Sequence, residues 1–140
     1  KKTIFLNSLS SIIKILLPEN EVQKKIYKSL EFFFHKFDEK NWPIYYLNWE
    51  IDLIRDLGFG FNFDESKYSF AENQKLLNIR VDEIEYKIPS FIVSKNFINV
   101  NMLDVRNGLN FSRNLMENKF FAPNKLRFPY SRKLLEEKIL

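Results

Sequence analysis

Trp42-Pro43-Ile44-Tyr45-Tyr46-Leu47-Asn48-Trp49-Glu50-Ile51-Asp52-Leu53-Ile54-Arg55-Asp56-Leu57-Gly58-Phe59-Gly60 is the stretch on which the reading of the fold turns. Pro43 stands where a helix tolerates proline, just inside the first turn, because the N–H it lacks would have no intrahelical partner there. Tyr46, Trp49, Leu53, Ile54 and Leu57 then recur at three- and four-residue spacings, so they lie on overlapping faces of one helix. Gly58 occupies the position at which helices commonly leave through a left-handed residue. This is the most apolar helical segment of the chain, and it predicts a central element with other helices around it.

Outward from it, Phe5, Leu9, Ile12, Ile13 and Leu16 form one apolar helix face within residues 4–17, and Pro18 ends that run. A second helix follows Asn20, a residue able to cap free N–H groups, with a stripe of Val22, Ile26, Leu30, Phe33, Phe34 and Phe37. Beyond Gly60 polar residues dilute the pattern, as in an irregular connection. Leu77, Ile79, Val81 and then Ile84, Tyr86, Ile88 alternate with a period of two around Asp82-Glu83, which predicts a β-hairpin. Phe91-Ile92-Val93 is too short to classify by period, and residues 96–101 read as a loop. A fourth helix is expected from Met102 or Asp104 to Asn118, with Met102, Val105, Leu109, Ser112, Leu115 and Met116 inward. A last one begins at Pro129 and brings Leu134, Leu135 and Ile139 to the core. The expected fold is mainly α: a helical bundle with one small β-hairpin, one domain over residues 1–140 carrying an irregular and hairpin insertion at about 61–90.

Composition narrows the chemistry. The 140 residues can bury roughly two thirds of the surface that the unfolded chain exposes, and 15 Phe residues supply bulk for one core. No cysteine is present, so there is no disulfide, no thiol nucleophile and no thiolate zinc site. A reducing, cytoplasmic setting follows as an expectation. Lys1-Lys2 before the apolar run superficially resembles a signal peptide, but Lys14 interrupts the run, and about 14 residues are too few to span a bilayer. A start without Met is expected for a chain that begins inside a longer protein. The net charge of +4 favours an anionic partner without requiring one.

Catalytic signatures are missing. His35, the single histidine, has only Phe33, Phe34 and Lys36 around it and reads as structural or exposed. Glu50 and Asp52 fall on different helix faces and make a poor acid/base couple. A carboxylate on so apolar a helix is expected to accept hydrogen bonds from a neighbouring loop or arginine. Asp82, Glu83 and Glu85 crowd a turn, where carboxylates are ordinarily solvated. Gly58-Phe59-Gly60 follows a helix and lacks a Gly-Lys-Ser/Thr continuation, so it is no phosphate loop. The basic residues say more: Lys119, Lys125, Arg127, Arg132 and Lys133 interleave with Phe120, Phe121, Phe128 and Tyr130. Cations can meet phosphates while exposed rings stack on bases; the bland alternative is core rings and solvated charges.

Taken together, Trp42-Pro43, Tyr46, Trp49-Glu50, Leu53-Ile54 and Leu57-Gly58-Phe59-Gly60-Phe61-Asn62-Phe63 resemble the signature of the RecO family of recombination mediators. Ile88-Pro89-Ser90-Phe91-Ile92 is similar to that family's Leu-Pro-x-Phe-Leu segment. Leu115 to Pro123, followed by Pro129 to Leu140, is similar to the closing helix pair of α-proteobacterial members. The structural signature is thus Trp42, Pro43, Trp49, Glu50, Gly58, Gly60, Pro89 and Pro123. The resemblance implies the C-terminal helical domain of a non-enzymatic, nucleoid-associated DNA-repair protein. Its partners would be single- and double-stranded DNA, the C-terminal tail of single-strand-binding protein, and RecR, and it would promote RecA loading and strand annealing. DNA contact is expected at Lys119, Lys125, Arg127, Arg132 and Lys133, and the partner's tail at Trp49, Leu53 and Arg55.

The chain departs from the family twice. Nothing here supplies the five strands of the family's N-terminal OB-fold. Where some members hold zinc with cysteines, this chain has Ser66, Tyr68, Ser69 and Ser90, so no cofactor is expected. Other readings stay open: a helical accessory domain of an enzyme whose active site lies outside this chain, or a purely structural interaction module.

Overall fold

The computed structural model describes residues 2–16, 24–35, 40–57 and 75–138. Among the described residues, six α-helices and one hairpin occur in the order α1 (Lys2–Leu16), α2 (Lys24–His35), α3 (Trp42–Asp56), β1 (Leu76–Val81), β2 (Ile84–Pro89), α4 (Ser90–Ser94), α5 (Met102–Met116) and α6 (Tyr130–Lys138). A single π-helical turn, Glu117–Phe121, extends α5. The mainly helical architecture with one two-stranded antiparallel sheet is the one expected from the sequence. Gly58, Gly60, the rest of the segment up to residue 74, Pro18, Asn20, Phe37 and Ile139 lie outside the described residues.

α3 is the centre. Pro43, Ile44, Tyr46, Leu47, Trp49, Glu50, Ile51, Leu53 and Ile54 are all buried, so it is apolar on nearly every side. It packs against α2 on one flank and α5 on the other, while α1 lies along α6. α1 turns Ser8, Leu9, Ile12 and Leu16 inward, the three- and four-residue stripe of an amphipathic helix. α5 starts at a reciprocal cap. Asp104 N–H donates to Asn101 Oδ1 at 2.8 Å, and Asn101 N–H donates to Asp104 Oδ2 at 3.1 Å, which satisfies two of the donors a helix start leaves free. Gly108 sits where α5 meets α3: a Cβ there would collide with Leu47 Cδ2 and press on Ile92 Cδ1. The two helices approach as closely as they do because that side chain is missing.

The hairpin follows from its turn. Asp82 and Glu83 both have positive φ, 48° and 68°, the two-residue loop whose twist matches that of the flanking strands. Val81 pairs with Ile84, Ile79 with Tyr86 and Leu77 with Ile88. Across a two-residue turn Val81 and Ile84 form a hydrogen-bonded pair, and such pairs alternate along the ladder. The bond from Ser90 N–H to Lys75 O at 2.8 Å keeps the same alternation. Glu85, Lys87 and Pro89 therefore occupy the intervening positions, whose backbone groups point away from β1. Pro89 has no N–H to give, and at that position the ladder needs none.

Phe91-Ile92-Val93, unclassified by period, forms the short helix α4, buried on all three residues and stopped at Lys95, whose φ is 58°. In the π turn, Ala122 N–H reaches back to Glu117 O and Leu126 N–H to Phe121 O, both at 2.8 Å. The extra residue rotates Phe121 into the core, where it packs edge-on to Phe128 at a centroid distance of 5.1 Å.

Candidate DNA and partner interface

A buried polar cluster, rather than a cleft, joins the two ends of the described fold. On α3, Tyr46 and Glu50 are one turn apart on the inner face, and both are fully buried. Arg132, from the first turn of α6, meets Glu50 with two parallel bonds, Nε to Oε2 and Nη2 to Oε1, each 2.7 Å. Nη2 also donates to Leu109 O at 2.8 Å, and Nη1 donates to Glu136 Oε2 at 3.1 Å. Ser112 on α5 donates to Glu50 Oε1 at 2.5 Å, and Tyr46 donates to Oε2 at 2.8 Å, with Ser8 of α1 on the tyrosine oxygen at 2.8 Å. Arg113 Nε closes the chain on Glu136 Oε2 at 2.9 Å. Two carboxylates and two guanidiniums balance, so the cluster carries no net charge into the interior.

The fork-on-fork geometry is what an arginine and a carboxylate need to offset the cost of leaving water. Burial acts to release the Arg132 proton, but attraction and hydrogen bonding by Glu50, then Tyr46 and Glu136, hold it above arginine's ordinary value. Burial, reinforced by the charge of Glu50, keeps the Tyr46 hydroxyl protonated well above the usual tyrosine range.

Arg132 is thereby removed from the cations expected to meet DNA: its side chain is fully buried and makes four hydrogen bonds inside the protein. Lys119 is withdrawn as well, half-buried and ion-paired with Asp82 at the hairpin tip, while neighbouring Asn118 donates to Tyr86 OH at 2.9 Å. Lys125, Arg127 and Lys133 remain exposed. Of the interleaved rings, Phe121 and Phe128 are core and Phe120 is partly buried against it, whereas Tyr130 stands 72% exposed. Of the residues expected to meet nucleic acid, the exposed ones are thus confined to residues 125–133: Lys125, Arg127 and Lys133, with Tyr130 as the exposed ring.

Trp49 and Leu53 require the same correction, since both are buried core residues and neither walls an open cleft. Arg55 does reach a groove. It lies between α2, α3 and α4, encloses about 400 Å³, and is walled by Phe32, Ile51, Ile92 and Phe97, with Arg55 and Lys95 at its rim. Asp52 shares the rim and pairs with Arg55 at 2.8 Å; burial raises its carboxyl above the usual range, and Arg55 opposes that rise. Among the described residues, no group of three or more His, Asp or Glu could hold a metal ion, and no helix is long and apolar enough to cross a membrane. Donors for a thiolate zinc site are missing from the sequence itself.

The family model described as Recombination protein O C terminal matches residues 1–73. The chain belongs to the RecO family. The DNA repair protein RecO of Ehrlichia chaffeensis is 28% identical over 142 residues, which cover 98% of this chain and 58% of that protein. RecO of Hyphomonas neptunium is 26% identical over 150 residues, 96% of this chain and 61% of that protein. RecO of Wolbachia pipientis wMel reaches 38% identity over 60 residues, 41% of this chain and 25% of that protein. The chain thus spans about three fifths of the length of the relatives that match it end to end. No solved structure matches it. Within this RecO domain, Trp42, Pro43, Trp49 and Glu50 build the central helix and its ion pair. Pro89 ends β2 and precedes α4, and Pro123 lies exposed in the turn after the π-helical segment.

Proposed function

We propose that this RecO-family chain acts as a binding module in recombinational repair: it docks the C-terminal tail of single-strand-binding protein and assists RecA loading and strand annealing together with RecR, without making or breaking a covalent bond and without zinc. The groove at Arg55 carries this reading. A ligand that is acidic and ends in a hydrophobic residue needs an apolar cleft for its last side chain and nearby cations for its carboxylates. Phe32, Ile51, Ile92 and Phe97 provide the first, and Arg55 and Lys95 the second. Asp52 partly neutralises Arg55, so Lys95 is the freer of the two cations.

DNA contact is assigned to Lys125, Arg127 and Lys133, with Tyr130 as a stacking ring. Phosphate contacts by three cations give weak binding with little sequence preference, to single or double strands, and strong salt dependence. The test is a titration of a fluorescein-labelled tail peptide, with and without its terminal hydrophobic residue, monitored by anisotropy. The intact peptide binds at least tenfold more tightly. Equal affinity for the two removes the groove and leaves only charge attraction.

A further inference from the structure

β2 has a second, outward edge. In the hairpin register Glu85 and Lys87 occupy the positions whose N–H and C=O groups point away from β1, and among the described residues no backbone group bonds to them. An open strand edge is a template for another strand, and proteins ordinarily cover or blunt it. This edge looks onto a crevice of about 350 Å³, bounded by Glu85, Tyr86 and Lys87 on one side and by Asn107, Asn110 and Asn114 of α5 on the other.

The charges on the edge restrict what can pair with it. One anion and one cation stand two residues apart, and the amides facing them are neutral. A strand of uniform charge is attracted at one of these positions and repelled at the other. The complementary strand places a lysine or arginine opposite Glu85 and an acid opposite Lys87. Run antiparallel, such a strand reads acid-x-base, and β2 itself has that sequence in Glu85-Tyr86-Lys87.

We propose that two copies of this chain associate through β2, antiparallel about a two-fold axis at Tyr86. Glu85 then lies opposite Lys87 of the second copy, and Lys87 opposite its Glu85, each pair exchanging both N–H···O bonds. Across the hairpin Glu85 already faces Arg80, and Lys87 faces Asn78. A row through the four strands therefore runs Arg80, Glu85, Lys87, Asn78, with no like charges adjacent. Registers displaced by two residues fail, because they set Glu85 against Glu85 or Lys87 against Lys87. Pairing stops of itself at Pro89, the next outward position, which has no N–H and comes opposite Glu83, a residue of the turn. Ile84, left 43% exposed in the single chain, comes opposite Ile88 of the second copy on the same face of the sheet. Four backbone bonds and two ion pairs make a weak dimer that salt loosens further.

Sedimentation equilibrium of the 140-residue chain is the test. The parent shows a reversible monomer–dimer equilibrium. Glu85→Lys and Lys87→Glu each set like charges opposite one another twice, and each lowers the association constant by about tenfold or more. An equimolar mixture of the two variants regains it, because every lysine at the shared edge then faces a glutamate. Amide exchange at Glu85 and Lys87, which the hairpin ladder leaves unprotected, slows as the concentration of the parent rises. A chain that stays monomeric up to about 1 mM overturns the proposal. So does a dimer that both substitutions leave unchanged, a mixture that associates no more tightly than its components, or protection of other amides in place of these two.

Discussion

Replacing Arg132 by methionine keeps the aliphatic stem and its packing near Phe128 but removes four hydrogen bonds, three of them to carboxylates. Glu136 retains Arg113, whereas Glu50 is left at zero exposure with only the Ser112 and Tyr46 hydroxyls. Removing one member of a buried pair costs about 3–5 kcal/mol, mostly because a charge stays behind without its counterion. Against a total of about 5–15 kcal/mol for a domain, that is a large fraction. With a urea slope of about 1.5 kcal/mol/M, the midpoint falls by about 2–3 M. Glu50→Gln costs less, about 1–3 kcal/mol, since Arg132 keeps Glu136 and Leu109 O. The double variant retains neither charge of the pair, so its loss is smaller than the sum of the two by at least 1 kcal/mol. Urea titrations followed by tryptophan fluorescence measure all three. An Arg132→Met midpoint within 0.3 M (about 0.5 kcal/mol) of the parent, or strict additivity in the double variant, would mean that the buried Arg132–Glu50 pair does not hold the fold together.

Further outcomes follow from other parts of the fold. Tyr46 holds its proton more tightly folded than unfolded, so its contribution is intact below the ordinary tyrosine value of 10.0 and is lost as pH rises beyond it; alkaline unfolding monitored by circular dichroism is shallower in Tyr46→Phe. Gly108→Ala improves helix propensity by about 1 kcal/mol but drives a methyl against the fully buried Leu47, so a net loss of about 1–2 kcal/mol in urea is expected. Changing Lys125, Arg127 and Lys133 together to Ala reduces the slope of log affinity for single-stranded DNA against log salt by about 2, while Lys119→Ala, which removes a paired cation, changes it little.

The architecture was legible in the sequence wherever a period ran long enough. The Tyr46-to-Leu57 stripe, the alternation around Asp82-Glu83 and the inward set of α5 all correspond to the observed elements. Local signals ran out at α4, too short to show a helical period, and at the π turn, where one extra residue reorients Phe121 with no marker in composition.

The site was less legible, because a sequence carries charge without burial. Arg132 looked like one more cation in a basic, aromatic stretch. Its position three residues before Leu135 nevertheless places it on the inner stripe of α6, and a carboxylate at Glu50 on so apolar a helix required a partner of that kind. Trp49 and Leu53 show the converse. Their helix is enclosed on most sides, so large side chains there fill the core, and the accessible groove falls to Ile51 and Arg55 with α2 and α4 opposite. Which face of a central helix stays open depends on packing among distant segments, and no local pattern records it.

The most direct test of docking at that groove is a map of backbone amide shifts when unlabelled single-strand-binding-protein tail peptide is added to the isotopically labelled chain. Docking there shifts amides concentrated at residues 48–55 and 92–97, less so when the peptide lacks its terminal hydrophobic residue and hardly at all in Lys95→Glu. Shifts confined to residues 125–133, or the same map for the truncated peptide, would contradict it.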